Sequence, residues 1–205
     1  MTRQQQLGFT LVELAVAMII IGLLLGGALT TMSAQHNLKV TAETNRLLED
    51  AQEALIGFAI ATGRLPCPSA NLNDKGRESP NNGGICTKSN AFLPAKALGI
   101  GPTDEDGFLL DSWGNRVRYA VTDAETNAFT TSGKIRATMT VSGPEYLTAD
   151  DSKVAVFVIY STGKDATVQT TSDGKSFTTS GNHDDVLLWL SSYSLYGRLS
   201  TARAL

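Results

Sequence analysis

The run Phe9–Leu29 reads FTLVELAVAMIIIGLLLGGAL, apolar along almost its whole length, and it holds a single acid, Glu13. At 1.5 Å per helical residue such a run rises about 30 Å, the thickness of a bilayer's hydrocarbon core, so the sequence predicts a membrane-spanning helix. An ionised Glu inside it costs about 2.5–3.5 kcal/mol on insertion scales, and Glu13 is therefore expected to have a partner. No Lys or Arg lies within the run. The preceding Met1–Gly8, MTRQQQLG, is polar, carries Arg3, and lacks the apolar core and A-x-A site of a secretory signal. A cut between Gly8 and Phe9 would create a cationic α-amino group on Phe9, which Glu13 of a neighbouring copy could neutralise.

The string Gly8-Phe9-Thr10-Leu11-Val12-Glu13 followed by an apolar helix resembles the N-terminus of type IV prepilins and of the pseudopilins of type II secretion. The resemblance implies that a prepilin peptidase cuts after Gly8 and N-methylates Phe9, and that Glu13 guides docking into a helical filament. It runs on to Gly63-Arg64-Leu65-Pro66, similar to the G-R-(Y/L)-P that ends the long helix in these proteins. Thr30 departs from the pattern, standing near where many true pilins carry a Pro. The partners implied are other pilin or pseudopilin subunits, the peptidase and an inner-membrane assembly platform. The implied location is a single pass through the bacterial inner membrane, N-terminus cytoplasmic and C-terminal domain periplasmic, before entry into a pilus or pseudopilus. Arg3 before the span and Lys39 well after it agree with that orientation. One alternative is a plain signal anchor carrying a periplasmic ligand- or client-binding domain, which leaves Glu13 unexplained. Another is a minor pilin that also binds DNA or a surface.

With 205 residues, 42% hydrophobic, the chain has room for one span and one domain with its own core, but not for a second enzyme-sized domain. Its formal net charge of −3 gives no general basis for nucleic-acid binding. The organisation expected is a leader at 1–8, a transmembrane and polymerisation helix at 9–31, an amphipathic continuation at 32–62 and a periplasmic globular domain at 63–205. In a periplasmic setting Cys67 and Cys86, flanked by Pro66, Pro68 and an Asn-Gly-Gly segment, most simply form a disulfide. Free thiols are the alternative. A zinc site would need His36 and His183, and His36 lies at the membrane end.

In the continuation, Leu47, Leu48, Ala51, Leu55, Phe58, Ala59 and Thr62 recur at helical spacing, while Glu43, Arg46, Glu49, Asp50 and Glu53 fall largely off that stripe. Pro66 and Pro68 stop the helix, and residues 63 to 107 read as a long connection with a short helical piece near Pro94–Leu98. Val117–Val121, Ile135–Val141, Val154–Tyr160 and Val186–Leu190 read as strands, and Ser191–Leu205 as a short helix or return segment. The fold class expected is α+β and pilin-like: a long N-terminal helix, membrane-spanning in its first half, packed by its second half on a small antiparallel sheet. Asp111-Ser112-Trp113-Gly114-Asn115 looks like the D-P-W-G-N turn of pseudopilins, with Trp113 expected over the helix–sheet seam.

The polar segment between the last two strands carries Asp165 at one end and His183-Asp184-Asp185 at the other. It resembles the calcium loop of major pseudopilins, which implies Asp165, Asp184 and Asp185 as ligands of a cation that takes six to eight oxygens. Lys164 and Lys175 weigh against this, and the plainer reading, that Asp184 and Asp185 open the last strand as solvated turn residues, is preferred. No enzyme is expected. A G-x-S-x-G elbow is absent, so His183-Asp184 has no nucleophile, and Asp173-Gly174-Lys175-Ser176 has Gln169 where a phosphate-binding loop needs Gly. The acidic run Asp104, Glu105, Asp106 lacks EF-hand spacing.

Overall fold

The computed structural model describes residues 10–80, 85–122, 129–131, 133, 135, 147–150, 152–171, 173–179 and 183–203, without the side chains of 25–34 and 152–154. The chain forms two compact units, Met1–Val40 and Thr41–Leu205. Helix α1, Leu11–Thr62, supplies the helical residues of the first unit and opens the second.

Within the second unit, Leu48, Ala51, Leu55 and Ala59 of the predicted stripe on α1 are fully enclosed in the main core, Leu47 and Phe58 are half-buried, and Thr62 at its end is exposed. Glu43, Arg46, Glu49, Asp50 and Glu53 face solvent. The helix ends at Gly63, whose φ of 70° suits a residue without Cβ and whose N–H bonds the Ala59 carbonyl at 2.9 Å. Beyond it, Arg64 grips Glu78 through two bonds of 2.7 Å, and Cys67 is disulfide-bonded to Cys86 with Cα atoms 5.2 Å apart. Burial pushes the Glu78 carboxyl up, but the Arg64 hydrogen bonds and charge, with the Cys67 N–H, outweigh it and hold the group below the usual glutamate range.

The sheet contains β1 (Asn90–Phe92), β2 (Arg118–Val121), β3 (Leu147–Ala149), β4 (Ser152–Ser161), β5 (Ser176–Phe177) and β6 (Val186–Ser191). The ten-residue β4 organises it, pairing antiparallel with β2, β3 and β6, while β1 pairs antiparallel with β2. Side chains alternate across the sheet. Tyr119, Val121, Phe157 and Ile159 join the α1 core, whereas Ala120, Val158 and Tyr160 join a second cluster on the other face with Phe177 and Leu147. Among the described strands the sheet departs from the purely antiparallel expectation where β5 runs parallel to β3. The hairpin β3–β4 reverses the chain, and the long segment after β4 then brings Ser176 back beside Thr148 in the same direction as β3. Helix α2 (Ala95–Leu98) occupies the predicted short helical piece, and α3 (Ser192–Thr201) the predicted C-terminal one. Ser191 caps α3 by accepting the Ser194 N–H, and Leu195 and Leu199 anchor it in the core. Of the predicted strand Ile135–Val141, positions 136–141 lie outside the described residues, and Ile135 is buried but helical rather than extended.

The Asp111–Asn115 turn ties three elements together. Asp111 is buried, and its Oδ1 accepts the N–H groups of Trp113 and Asn115 at 2.9 and 2.8 Å while its Oδ2 accepts the Ser161 hydroxyl of β4 at 2.5 Å. Ser112 N–H reaches Thr44 Oγ1 of α1 at 3.3 Å, and Trp113 packs half-buried against the core, as its predicted place over the seam requires.

Candidate functional site

Two places carry the residues singled out by the sequence. The first is the acidic loop of the second unit. Oxygens of Asp165, Asp184 and Asp185 lie within 4.8 Å of one another, so the structure brings together side chains separated by up to twenty positions. The route is through Gly163. Its φ is 60°, and a Cβ placed there would lie 2.6 Å from Asp184 Cγ, so only glycine lets the end of β4 approach the acids this closely. Asn115 Nδ2 donates to the Gly163 carbonyl at 2.5 Å and Ser161 Oγ accepts the Gly163 N–H at 3.1 Å, fixing the loop on the Asp111 turn.

Much of the acidity is already engaged. Asp184 Oδ2 accepts the Lys164 and Asp165 N–H groups. Asp185 Oδ2 accepts those of Gln169 and Thr170 at 2.8 and 2.7 Å. The two oxygens of Asp165 accept the Thr167 N–H and the Gln169 amide, each at 2.8 Å. This is how carboxylates order a turn, as the plainer reading expects. Asp185 Oδ1, however, is buried without a partner among the described residues, and so are both ring nitrogens of His183. Burial pushes the Asp185 carboxyl above the usual range; the two N–H groups and His183 pull the other way without cancelling it, and Asp184 adds to the rise. An oxygen-only cluster with one orphaned carboxylate oxygen suits the donor preference of Ca²⁺.

The second place is the start of α1. Thr10 and Glu13 form a reciprocal cap: Thr10 Oγ1 accepts the Glu13 N–H at 3.3 Å, while Glu13 Oε2 accepts the Thr10 N–H at 3.1 Å and the Thr10 hydroxyl at 3.0 Å. The helix that follows is apolar on every side. Met18, Ile19, Ile20 and Ile21 make up a full turn and are exposed by 64, 63, 51 and 51%. A helix with no polar face calls for burial in lipid or among other helices. Among the described residues no helix is long and apolar enough to cross a membrane. The described apolar stretch Leu11–Leu24 rises about 21 Å.

Comparison with families of known proteins decides what this terminus is. Residues 3–29 match the prokaryotic N-terminal methylation motif. That motif is the signature of type IV prepilins and pseudopilins, and it supports a pilin-like, prepilin-processed protein. No curated protein and no solved structure matches the chain. Within the methylation motif, Gly8 and Phe9 lie outside the described residues, whereas Glu13 stands in the first turn of α1. Thr10, which the sequence reading passed over, is the residue that holds the Glu13 carboxylate. Its signal was present in the spacing Thr10-x-x-Glu13, the pattern of a capping box ahead of an apolar run.

Proposed function

We propose that the chain is a minor pilin or pseudopilin, a non-catalytic subunit of a type IV pilus or type II secretion pseudopilus. It enters the inner membrane with its N-terminus inside, a prepilin peptidase cleaves after Gly8 and methylates Phe9, and Glu13 docks onto the new N-terminus of a neighbouring subunit as the assembly platform adds the chain. The observation that carries this reading is the methylation motif over residues 3–29, leading into a helix that is apolar on all sides and carries one acid at its start. The disulfide Cys67–Cys86 agrees with a periplasmic domain. Asp165, Asp184 and Asp185 would hold a Ca²⁺ ion if the loop takes one, and its chemistry there would be structural, cross-linking the loop after β4 to the start of β6.

The test is expression of Gly8→Ala and Glu13→Ala beside the unaltered chain, with the mature N-terminus read by mass spectrometry. An N-methylated Phe9 in the unaltered chain, no cleavage in Gly8→Ala, and loss of filament incorporation in Glu13→Ala are expected. Normal processing of the first variant or normal incorporation of the second would overturn the assignment, and an intact Met1 would favour a simple anchor.

A further inference from the structure

Strand β6, Val186–Ser191, pairs with β4 on one side, and no described strand pairs with its other edge. Which backbone groups face that edge follows from β4. The Val156 carbonyl accepts the Thr122 N–H at 2.8 Å, which turns the backbone groups of Val156, Val158 and Tyr160 toward β2 and those of Phe157, Ile159 and Ser161 toward β6. Leu190, Leu188 and Val186 complete that ladder, so Leu187 and Trp189 direct their N–H and C=O groups outward. The Trp189 carbonyl agrees with this direction, because it accepts the side-chain amide of Gln52 on α1 at 3.3 Å. The N–H groups of both residues and the Leu187 carbonyl have no partner among the described residues.

Open edges are ordinarily blunted by charged side chains or proline, because they template pairing with another chain. The sequence of β6, VLLWLS, has neither. Its side chains from Leu187 onward are half-buried: Leu188 and Leu190 at the rim of the main core, Leu187 and Trp189 at the rim of the outer cluster. An added strand would cover both rims and pair the outward groups of Leu187 and Trp189. A docked helix, whose backbone groups are spent internally, could do only the first.

We propose that this edge pairs antiparallel with the same edge of a second copy of this chain, about a two-fold axis at Leu188. In that register both outward residues meet outward residues: Leu187 exchanges its backbone bonds with Trp189 of the second copy, and Trp189 with Leu187. A carbonyl oxygen accepts two bonds, so Gln52 can stay on Trp189. A two-fold contact is self-complementary, and a charged strand would meet its like; β6 carries no charge. The nearest acids, Asp184 and Asp185, fall opposite Ser192 and Ser191 of the second copy, at the start of its α3, where the helix dipole favours carboxylates. The pairing goes beyond the subunit reading and does not rest on it. Because a two-fold pair closes on itself, a filament subunit would hold it only before assembly.

The test is amide hydrogen exchange, read by NMR, on the full chain in detergent micelles holding one chain each and then two or more. The Leu187 and Trp189 amides should exchange rapidly in the first state and slow by about tenfold or more in the second. Leu188→Cys tests the register. Opposed residues outside the ladder have Cα atoms about 4.5 Å apart, within disulfide reach, whereas Leu190→Cys would face Val186 of the second copy. The chain's own Cys67 and Cys86 are already bonded to each other. Mild oxidation should therefore give a covalent dimer of the first variant and not of the second. Leu187→Pro removes an outward N–H and spares the β4 ladder, so Leu187→Pro/Leu188→Cys should form that dimer at least about fivefold less. Unchanged exchange at Leu187 and Trp189 when chains share a micelle would overturn the proposal whatever the variants do, since that measurement needs no substitution. Equal cross-linking at positions 188 and 190 would overturn it as chance encounter. Slowed exchange with no Leu188→Cys dimer would also overturn it, because something other than the second copy's β6 would then cover the edge.

Discussion

Removing the disulfide with Cys67→Ala/Cys86→Ala should cost about 3 kcal/mol. The bond joins positions 19 apart in sequence, and closing a loop of that length in the unfolded chain is worth about that much in the chain-entropy model. The structure indicates that most of the loss would arise in the unfolded state. The native loop has other ties: the paired bonds from Arg64 to Glu78, the Ser79 hydroxyl given to Asp74 at 2.5 Å while it accepts the Ala70 N–H at 2.9 Å, and the Thr87 N–H bonded to the Ser79 carbonyl at 3.0 Å. These survive loss of the sulfur bridge, so the reduced protein should keep the same fold at lower stability. For a unit of this size the loss corresponds to a fall in melting temperature of about 6–12 °C. Urea unfolding of the oxidised chain and of the double variant, under identical detergent conditions, measures it. A difference below about 1 kcal/mol would refute the reasoning, because it would mean that the remaining ties already order the loop in the unfolded chain and leave the disulfide little entropy to remove.

Two further outcomes follow from the side chains. Glu78→Gln should cost about 1–2 kcal/mol at neutral pH, between the values for exposed and buried pairs, because Arg64 and Glu78 are each about a quarter exposed or less. The Glu78 carboxyl titrates below its ordinary range, so the unfolded chain takes up its proton first; the stabilisation is complete above the ordinary glutamate range and is lost as pH falls through the lowered value. Stability measured from pH 7 down to 3 should therefore fall less steeply in the variant than in the unaltered chain. Ca²⁺ titration should raise the melting midpoint if Asp165, Asp184 and Asp185 hold the ion, with the rise abolished in Asp185→Asn; an unchanged midpoint at millimolar Ca²⁺ would remove the site.

The parts of the fold that were legible in sequence are those where local pattern and tertiary burial agree. Leu48, Ala51, Leu55 and Ala59 repeat at helical spacing because one face of α1 packs on the sheet, and β2, β4 and β6 are rich in β-branched and aromatic residues because both faces of that sheet are covered. Strands β1, β3 and β5 are two or three residues long, with sequences such as Asn-Ala-Phe and Ser-Phe. They are strands only because β2, β4 and β3 offer them partners, and nothing local to those residues records it. The same holds for the acidic loop. Asp165 and Asp184 could be nominated by type, but their meeting depends on the Asp111 turn and on the close approach at Gly163, which join positions far apart in sequence. Cys67 and Cys86 were legible as a pair because a chain with two cysteines beyond the apolar run leaves only one possible intramolecular bridge.

Glu13 shows how the structure sharpens a reading based on charge. Its position in an apolar run demanded a partner, and none of opposite sign lies in the run. The chain supplies a different kind of partner, the N–H and hydroxyl of Thr10, at the one point of the helix where free donors exist. Capping therefore explains why an acceptor stands three residues after Thr10, but it does not explain the charge. Gln completes a capping box as Glu does and enters a membrane at lower cost. Near a helix N-terminus the dipole repays a carboxylate by about 0.3–1 kcal/mol, less than the insertion cost of about 2.5–3.5 kcal/mol. A cation from outside the helix would offset what remains. Under the proposed processing, an α-amino group freed at Phe9 of a neighbouring subunit would be such a cation, and the cap would hold the Glu13 carboxylate at the helix start to meet it.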